Sequence, residues 1–310
     1  MARFTLRRLL HVVPVLWGLS TVVFLMLRLL PGNVAVTLLS FRYTAKAAAV
    51  LNHQLGLDKP LLVQYLHYWE NLFQGNLGRS AVTSIPVVQT LGSQFPPTLA
   101  LALSAMGVAI VIGIPAGAFA AVRFRSVIDS LTVVIATLGL SIPPYFLGIV
   151  LILVFSVALR LVPVVGGSGF AGLILPAMAV GLPAAGYVAR VVRASMLEVL
   201  GAEYITTARS KGLRDRVIVV RHALRNALVP IVTVLGLQFG QMLGGVVIVE
   251  NVFARPGIGQ TVVTAIEQRD IQLVQGCVLL LGVTYVVVNL LTDILFAAIN
   301  PQIRLSGAAK

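Results

Sequence analysis

The densest group of charged side chains lies between Tyr204 and Ala227, in the stretch YITTARSKGLRDRVIVVRHALRNA. Only 11% of the residues in the chain are charged, yet this stretch holds seven of them. They are Arg209, Lys211, Arg214, Asp215, Arg216, Arg221 and Arg225. A cluster of cations binds anions, so the stretch predicts contact with lipid phosphates or with acidic groups on a partner protein.

Motifs for enzymatic chemistry are absent from the sequence. It contains no Walker A pattern G-x-x-x-x-G-K-[ST], no H-E-x-x-H, no G-x-S-x-G and no pair of intramembrane acids. The only cysteine, Cys277, lies inside an apolar run, which excludes a disulfide framework and a cysteine metal site. We therefore predict that the chain is not an enzyme, binds no metal or other cofactor and hydrolyses no ATP itself.

The composition predicts a membrane protein. Hydrophobic residues make up 58% of the chain and the mean hydropathy is +0.97, whereas soluble domains use roughly 45–50% apolar residues. The net charge of +13 suggests nucleic acid at first. The basic residues, however, cluster at the ends of apolar runs, as membrane topology requires, so we predict membrane lipid and no nucleic acid as a partner.

Six stretches are long and apolar enough to cross a bilayer, which takes about 20 residues. They are approximately 9–30, 99–122, 130–158, 173–192, 228–249 and 273–299. Continuous spans of this length favour a helical bundle over a β-barrel. The first span resembles a secretory signal, but its apolar run is too long and no small-x-small cleavage site follows it, so we predict a retained helix.

The distribution of basic residues predicts the orientation. With the N-terminus inside, fifteen Lys and Arg residues fall on cytoplasmic pieces and seven on external pieces. This asymmetry follows the positive-inside rule. Both termini and the Tyr204–Ala227 stretch are therefore predicted to be cytoplasmic, and residues 31–98 form a long external segment.

The external segment carries an amphipathic helical pattern. Leu61, Tyr65 and Trp69 recur at helical spacing after Pro60, and QGNLG ends the pattern. Such a helix either caps the bundle in the membrane interface or contacts a partner protein. Tyr65 and Trp69 are predicted to be exposed anchors for that partner.

Small and polar residues inside the spans suggest helix packing and a polar path. Glycines recur every fourth residue at Gly236, Gly240 and Gly244 and at Gly113 and Gly117, a spacing that lets helices approach closely in lipid. Polar side chains in the spans need hydrogen-bond partners or a watery cavity. The candidates for a translocation path are Gln238, Gln241 and Asn289.

The charged stretch is similar to a known loop. GAEYITTARSKG predicts a short helix that Gly212 caps at its C-terminus. Ala208, Gly212 and Leu224 match the EAA-x-x-x-G … I-x-L-P loop of permeases from binding-protein-dependent ABC importers. The combination of Y-x-x-TAR-x-KG with RHALRNA resembles the version of that loop in peptide permeases.

The resemblance extends over nearly the whole chain. RRLLHVVPVLWGLSTVVFLMLRLLPGN, LGLDKPLLVQY, GNLGRS, VIVENVFARPGIGQ, AIEQRD and LTDILFAAINPQIR resemble recurrent stretches of one family. It is the dipeptide/oligopeptide/nickel permease family, in its B-type subunit. Asn300 and Gln302 stand where the family commonly shows DPR.

This resemblance implies a fold and a function. The expected fold is an all-α polytopic membrane protein with six transmembrane helices, the type I ABC importer permease fold. Residues 1–30 would form the N-terminal transmembrane helix, 31–98 the external segment, and 99–310 a five-helix core with a cytoplasmic coupling loop at 193–227. The implied function is ATP-driven uptake of di- and oligopeptides across the inner membrane of a bacterium or archaeon, with nickel chelates or another small solute as the alternative.

The resemblance also implies partners and contacts. The partners are a C-type permease subunit, one or two ATPase subunits that bind ATP and magnesium, and an extracytoplasmic substrate-binding protein. The residues implied in contact with the ATPase are Glu203, Tyr204, Thr207, Ala208, Arg209, Lys211, Gly212, Leu213 and Leu224. The candidate contacts with the binding protein are Tyr65, Trp69, Glu250 and Arg255.

A secondary transporter is the alternative outside this class. It would need several buried ionisable groups or broken helices in inverted repeats. Only Arg28, Asp293 and Arg190 lie in or near the spans, and all three are close to span ends. Dependence of uptake on ATP or on an ion gradient distinguishes the two classes.

Overall fold

The computed structural model describes residues 2–29, 44–54, 56, 58–162 and 171–299, and this part of the chain is helical without β-strands. The helices are α1 (Ala2–Leu29), α2 (Ala45–Gln54), α3 (Leu61–Phe73), α4 (Val87–Val122), α5 (Val127–Ser141), α6 (Pro144–Leu151), α7 (Ala171–Leu200), α8 (Glu203–Ser210), α9 (Asp215–Val217), α10 (Arg225–Val252), α11 (Ile258–Glu267) and α12 (Ile271–Ile299). Two π-helical segments, Ile152–Ala158 and Ile218–Leu224, continue α6 and join α9 to α10.

Four described helices have the length and composition of membrane spans. They are Val87–Val122, Ala171–Leu200, Pro230–Val252 and Ile271–Ile294. A bent pair, Val127–Ser141 with Pro144–Ala158, makes a fifth if it counts as one span, and Val12–Leu25 in α1 is a shorter apolar stretch. The prediction of an all-helical polytopic membrane protein is therefore confirmed.

The third predicted span is not one continuous helix. Residues 130–158 divide into two helices that are bent by 103°. The cause is the Pro143–Pro144 pair, because proline forces the residue before it out of the helical region. Ile142 has φ −91° and ψ 119°, and Pro143 has φ −61° and ψ 140°. Proline at the start of α6 then fits the first turn, where its missing N–H needs no acceptor.

Contacts divide the chain into two compact units. One unit comprises the described residues within 1–9, 98–255 and 285–310, and the other comprises the described residues within 10–97 and 256–284. The division predicted from the sequence, into residues 1–30, 31–98 and 99–310, refers to the sides of the membrane on which these segments lie. Contacts within the chain do not define those sides, so this division stays a prediction.

Helix α7 is the central helix of the first unit. It packs against α5, α6 and α10, and twelve of its residues are buried. Glycines bring α4 close to it: a Cβ at Gly113 would lie 2.7 Å from the carbonyl oxygen of Ala185, and one at Gly117 would overlap the carbonyl oxygen of Ala189. The close packing predicted for these two glycines is confirmed.

Two of the four glycines of α10 pack in the same manner against α12. A Cβ at Gly240 would lie 2.6 Å from the ring of Tyr285, and one at Gly236 would overlap Thr292. At Gly244 no atom lies within 4 Å of the added Cβ. Of the three α10 glycines at four-residue spacing, Gly236 and Gly240 are therefore packing positions, and Gly244 faces open space.

Candidate functional site

Helix α8 ends at the glycine that the sequence predicts as its cap. Gly212 has φ +75°, a conformation that costs a residue with a Cβ about 1–2 kcal/mol. Its N–H donates to the carbonyl oxygen of Arg209 at 2.9 Å, and the N–H of Leu213 donates to that of Ala208 at 3.3 Å. These two bonds form a Schellman motif and satisfy carbonyl groups at the end of the helix.

Most of the predicted ATPase contacts are exposed on α8 and the turn after it. Ala208 is half-buried. The exposed residues are Glu203, Tyr204, Thr207, Arg209, Lys211, Gly212 and Leu213. Ile205 is fully buried and anchors the helix. The sequence signal for this anchor is a single large aliphatic residue in an otherwise polar helix.

A hydrogen bond ties α8 to the helix that follows. The Nδ2 amide of Asn226 donates to the hydroxyl oxygen of Tyr204 at 2.8 Å, which connects α8 with the first turn of α10. The hydroxyl of Tyr204 is therefore bound within the protein, while the residue as a whole remains exposed. The pattern of the loop did not identify Asn226.

Leu224 differs from the other predicted ATPase contacts. It lies at the end of the π-helical segment Ile218–Leu224, where it is half-buried and packs against the hydrophobic core. It is therefore less exposed than the residues of α8, and its contact with a partner ATPase stays a prediction.

An ion pair that the sequence did not predict joins α5 to α7. The Nε of Arg193 donates to Oδ1 of Asp129 at 2.5 Å, and its Nη2 donates to Oδ2 at 2.8 Å. The backbone N–H of Arg125 donates to Oδ2 of the same carboxylate at 3.0 Å. Arg193 also lies 5.5 Å from the centre of the Phe124 ring.

This ion pair lies next to the loop between α4 and α5 and is partly shielded from water. The Asp129 side chain is 6% exposed and that of Arg193 is 24% exposed, so both are partly shielded from water. Two parallel N–H···O bonds give such a pair a fixed geometry. The pair therefore fixes the start of α5 against the last turns of α7, the helix that precedes α8.

The candidates for the translocation path occupy different environments. Gln238 and Asn289 are half-buried, and Gln241 is exposed on the surface of this chain. Gln238 and Gln241 lie on α10, and Asn289 lies on α12. Their assignment to the path stays a prediction.

Tyr65 and Trp69 are not the exposed anchors expected for a binding-protein contact. Both are half-buried. The hydroxyl of Tyr65 forms a 2.7 Å hydrogen bond with that of Thr21, and its ring packs edge-on against Phe24 at 5.3 Å. The Trp69 ring packs edge-on against Tyr65 at 6.2 Å. Tyr65 therefore lies on the face of α3 that packs on α1, and the contact of Tyr65 and Trp69 with a binding protein stays a prediction.

Glu250 is also not a surface residue. It is fully buried near the end of α10, and its carbonyl oxygen accepts a 2.8 Å hydrogen bond from the N–H of Arg255. Arg255 is half-buried, and its Nη1 donates to the carbonyl oxygen of Gly172 at 3.3 Å. The backbone carbonyl of Glu250 therefore stabilises the turn after α10, and the contact of Glu250 and Arg255 with a binding protein stays a prediction.

Metal ligands are not grouped in the part of the chain that the structure describes. No cluster of three or more His, Cys, Asp or Glu side chains there has the arrangement of a metal site. Two of the described histidines contact acids, and Nδ1 of His53 forms a 2.7 Å hydrogen bond with Oδ2 of Asp58. This hydrogen bond lowers the pKa of Asp58.

Comparison with known proteins identifies the family. Residues 113–305 match the family described as binding-protein-dependent transport system inner membrane component, and residues 1–102 match its N-terminal part. The chain belongs to this family. As an ABC importer permease it is a multi-pass inner-membrane transport component, and the ATPase activity lies in partner subunits.

Relatives are similar to this permease over almost its whole length. The glutathione transport system permease protein GsiC of Escherichia coli O6:H1 is 42% identical over 98% of the chain and 99% of the relative. GsiC of Escherichia coli strain K12 is 41% identical over the same shares. These matches place the permease in the peptide/nickel group of importer permeases.

A solved transporter shows the same fold. The inward-facing MetNI methionine ABC transporter aligns with a TM-score of 0.56, covering 69% of this chain and 97% of that chain at 22% identity. This likeness confirms the type I ABC importer permease fold. Permeases of such importers work in general with an ATPase and a substrate-binding protein.

Proposed function

We propose that this permease forms the translocation pathway for short peptides that an external binding protein delivers. The observation that carries the proposal is the 42% identity over 98% of the chain to a permease named for glutathione, which is a tripeptide. The candidate path residues Gln238, Gln241 and Asn289 carry amide groups without formal charge. Such a path suits peptides with varied side chains, because selectivity then resides in the binding protein.

The cargo is tested by mass spectrometry of solutes retained by the cognate binding protein after mild purification. We expect di- to oligopeptides or glutathione in the retained fraction. Uptake of the same solute into vesicles that contain the complete transporter should require ATP and persist when ion gradients are collapsed. A retained nickel chelate would contradict the peptide assignment, and uptake driven by an ion gradient would contradict the importer class.

We further propose that α8 is the coupling helix, which fits into a cleft of a partner ATPase. The support is its shape: an exposed polar surface on a helix anchored by Ile205 and ended by Gly212. The surrounding arginines complement acidic groups on that partner. ATP and magnesium are bound by the partner subunits, and a C-type permease completes the membrane part of the transporter.

The proposed orientation places both termini and residues 193–227 in the cytoplasm and residues 31–98 outside. It rests on the excess of basic residues in the predicted cytoplasmic pieces. The ion pair between Asp129 and Arg193 supports one part of it, because it holds the loop after α4 and the end of α7 together, as loops on the same side require.

The orientation predicts opposite labelling of two introduced cysteines. Gln74→Cys should react with an impermeant thiol reagent from outside in intact cells, and Ser210→Cys should react only in inverted vesicles. Both positions are exposed, whereas the native Cys277 is fully buried, so the parent protein serves as the unlabelled control. Labelling of both cysteines from the same side would contradict the proposed topology.

A further inference from the structure

Helix α3 has three distinct faces, and the first packs against α1. Tyr65 and Tyr68 place their rings 5.3 and 5.4 Å from the ring of Phe24, which is fully buried. The hydrogen bond between Tyr65 and Thr21 adds a polar contact to this face. These contacts hold α3 along the second half of α1.

The second face is polar. Gln64, His67 and Asn71 line a cavity of about 330 Å³ together with Gln272 and Gln275 from the first turns of α12. His67 and Glu70 form a 3.2 Å hydrogen bond at the surface of the helix. Polar groups on this face therefore have partners or water and do not need to enter hydrocarbon.

The third face is an exposed apolar stripe, formed by Leu62, Leu66 and Phe73. Spacings of four and seven residues place these side chains on one side of the helix. They are 69%, 61% and 84% exposed, respectively. Phe73 also contacts the ring of Trp69, at a centroid distance of 5.6 Å.

The position of α3 relative to two apolar helices indicates what covers this stripe. Thr21 and Phe24 lie near the C-terminal end of the apolar stretch Val12–Leu25, and the cavity residues of α12 lie at the start of the apolar stretch Ile271–Ile294. Since α1 ends and α12 begins beside α3, this helix lies where both reach the same side of the bilayer. Val22 and Leu25, at that end of α1, are exposed as well.

We propose that α3 is a membrane-interface helix whose apolar stripe inserts into the outer leaflet. Leu62, Leu66 and Phe73 contact acyl chains, and the face with Gln64, His67 and Asn71 stays in water. Amphipathic helices bind the boundary between headgroups and acyl chains in this way, with large apolar residues on the buried side. The outer leaflet follows from the proposed orientation, whereas insertion itself rests only on the faces of α3 and its contacts.

Spin labels test this insertion directly. Single cysteines at Leu66 and Phe73, with matched controls at His67 and Asn71 on the polar side, are labelled with a nitroxide. All four positions are exposed, and the buried Cys277 remains as the unlabelled background. The permease is reconstituted with its partner subunits in phosphatidylcholine and phosphatidylglycerol vesicles, and collisions with oxygen and with a water-soluble nickel complex are measured.

We expect the spin labels at positions 66 and 73 to collide mainly with oxygen, which concentrates in hydrocarbon. The spin labels at positions 67 and 71 should collide mainly with the nickel complex, which stays in water. The ratio of the two collision rates should differ severalfold between the two pairs. Access of nickel to the stripe would overturn the proposal, as would exclusion of both reagents, which a covering protein subunit would produce. The spin-label measurement requires no transport. It therefore tests the insertion of α3 even if the transport assay contradicts the proposed function.

Discussion

Substitution of Gly212 by aspartate is expected to reduce substrate uptake at least about tenfold while the protein remains abundant in the membrane. Gly212 has φ +75°, and the strain of a side chain there together with an anion at the helix C-terminus costs on the order of 1–2 kcal/mol. A difference of about 1.4 kcal/mol corresponds to a factor of ten. No atom lies within 4 Å of an added Cβ, so the effect is conformational and electrostatic and not a steric clash.

Two further substitutions at this position separate strain from charge. Asparagine has nearly the same shape as aspartate, adopts positive φ more readily than most residues and carries no charge, so Gly212→Asn should retain most of the uptake. Gly212→Ala should lie between the two, because it adds strain without charge. Uptake and binding-protein-stimulated ATP hydrolysis are measured for each variant at equal membrane abundance.

The control for this series removes charge without touching the cap. If the loop only binds lipid headgroups, the double variant Arg214→Gln, Arg216→Gln should lose function and the glycine variants should not. If α8 is the coupling helix, Gly212→Asp should have the larger effect. Wild-type uptake by Gly212→Asp would refute the assignment of the coupling helix.

Loss of the ion pair between Asp129 and Arg193 is expected to destabilise the protein. Arg193→Gln leaves the carboxylate of Asp129, whose side chain is 6% exposed, with one backbone N–H donor in place of three N–H donors. A shielded charge without its partner is strongly unfavourable. We expect the apparent Tm of the detergent-purified protein to fall by at least about 5 °C.

A surface ion pair in the same protein is the matched control. Arg209 and Asp215 lie 3.9 Å apart with side chains that are 55% and 87% exposed. Exposed pairs contribute little, so Arg209→Gln should shift the apparent Tm by about 1 °C or less. The charge-reversed double variant Asp129→Arg, Arg193→Asp should recover part of the loss. Equal shifts in apparent Tm for Arg193→Gln and Arg209→Gln would show that the shielded pair stabilises the protein no more than the exposed pair does.

Properties that depend on neighbours along the chain were predictable. The cap at Gly212 follows from a glycine placed after a polar helical stretch, and the observed φ of +75° agrees with it. Helix α3 begins after Pro60 and ends before Gly75, as the sequence pattern predicts. The break at Pro143–Pro144 has an equally local cause, and the two adjacent prolines were the available signal inside the expected span 130–158.

Properties that depend on which face meets which helix required the tertiary structure. Periodicity placed Tyr65 and Trp69 on one face but did not show that this face packs on Phe24. It did not bring Asp129 and Arg193 together, since they are 64 residues apart. The burial of Glu250 was likewise not visible in the sequence.

The sequence by itself determined that this protein is an all-helical permease. The length of its apolar stretches, the distribution of its basic residues and the loop motif can each be identified from residues that are close together in the chain. Only the tertiary structure decided which apolar faces are covered. In a membrane protein the surfaces that meet lipid and the surfaces that meet other helices are both apolar, so hydrophobicity does not distinguish them. Helix α3 illustrates this limit, because its stripe of Leu62, Leu66 and Phe73 and its packed face with Tyr65 and Tyr68 became distinct only once α1 was in place.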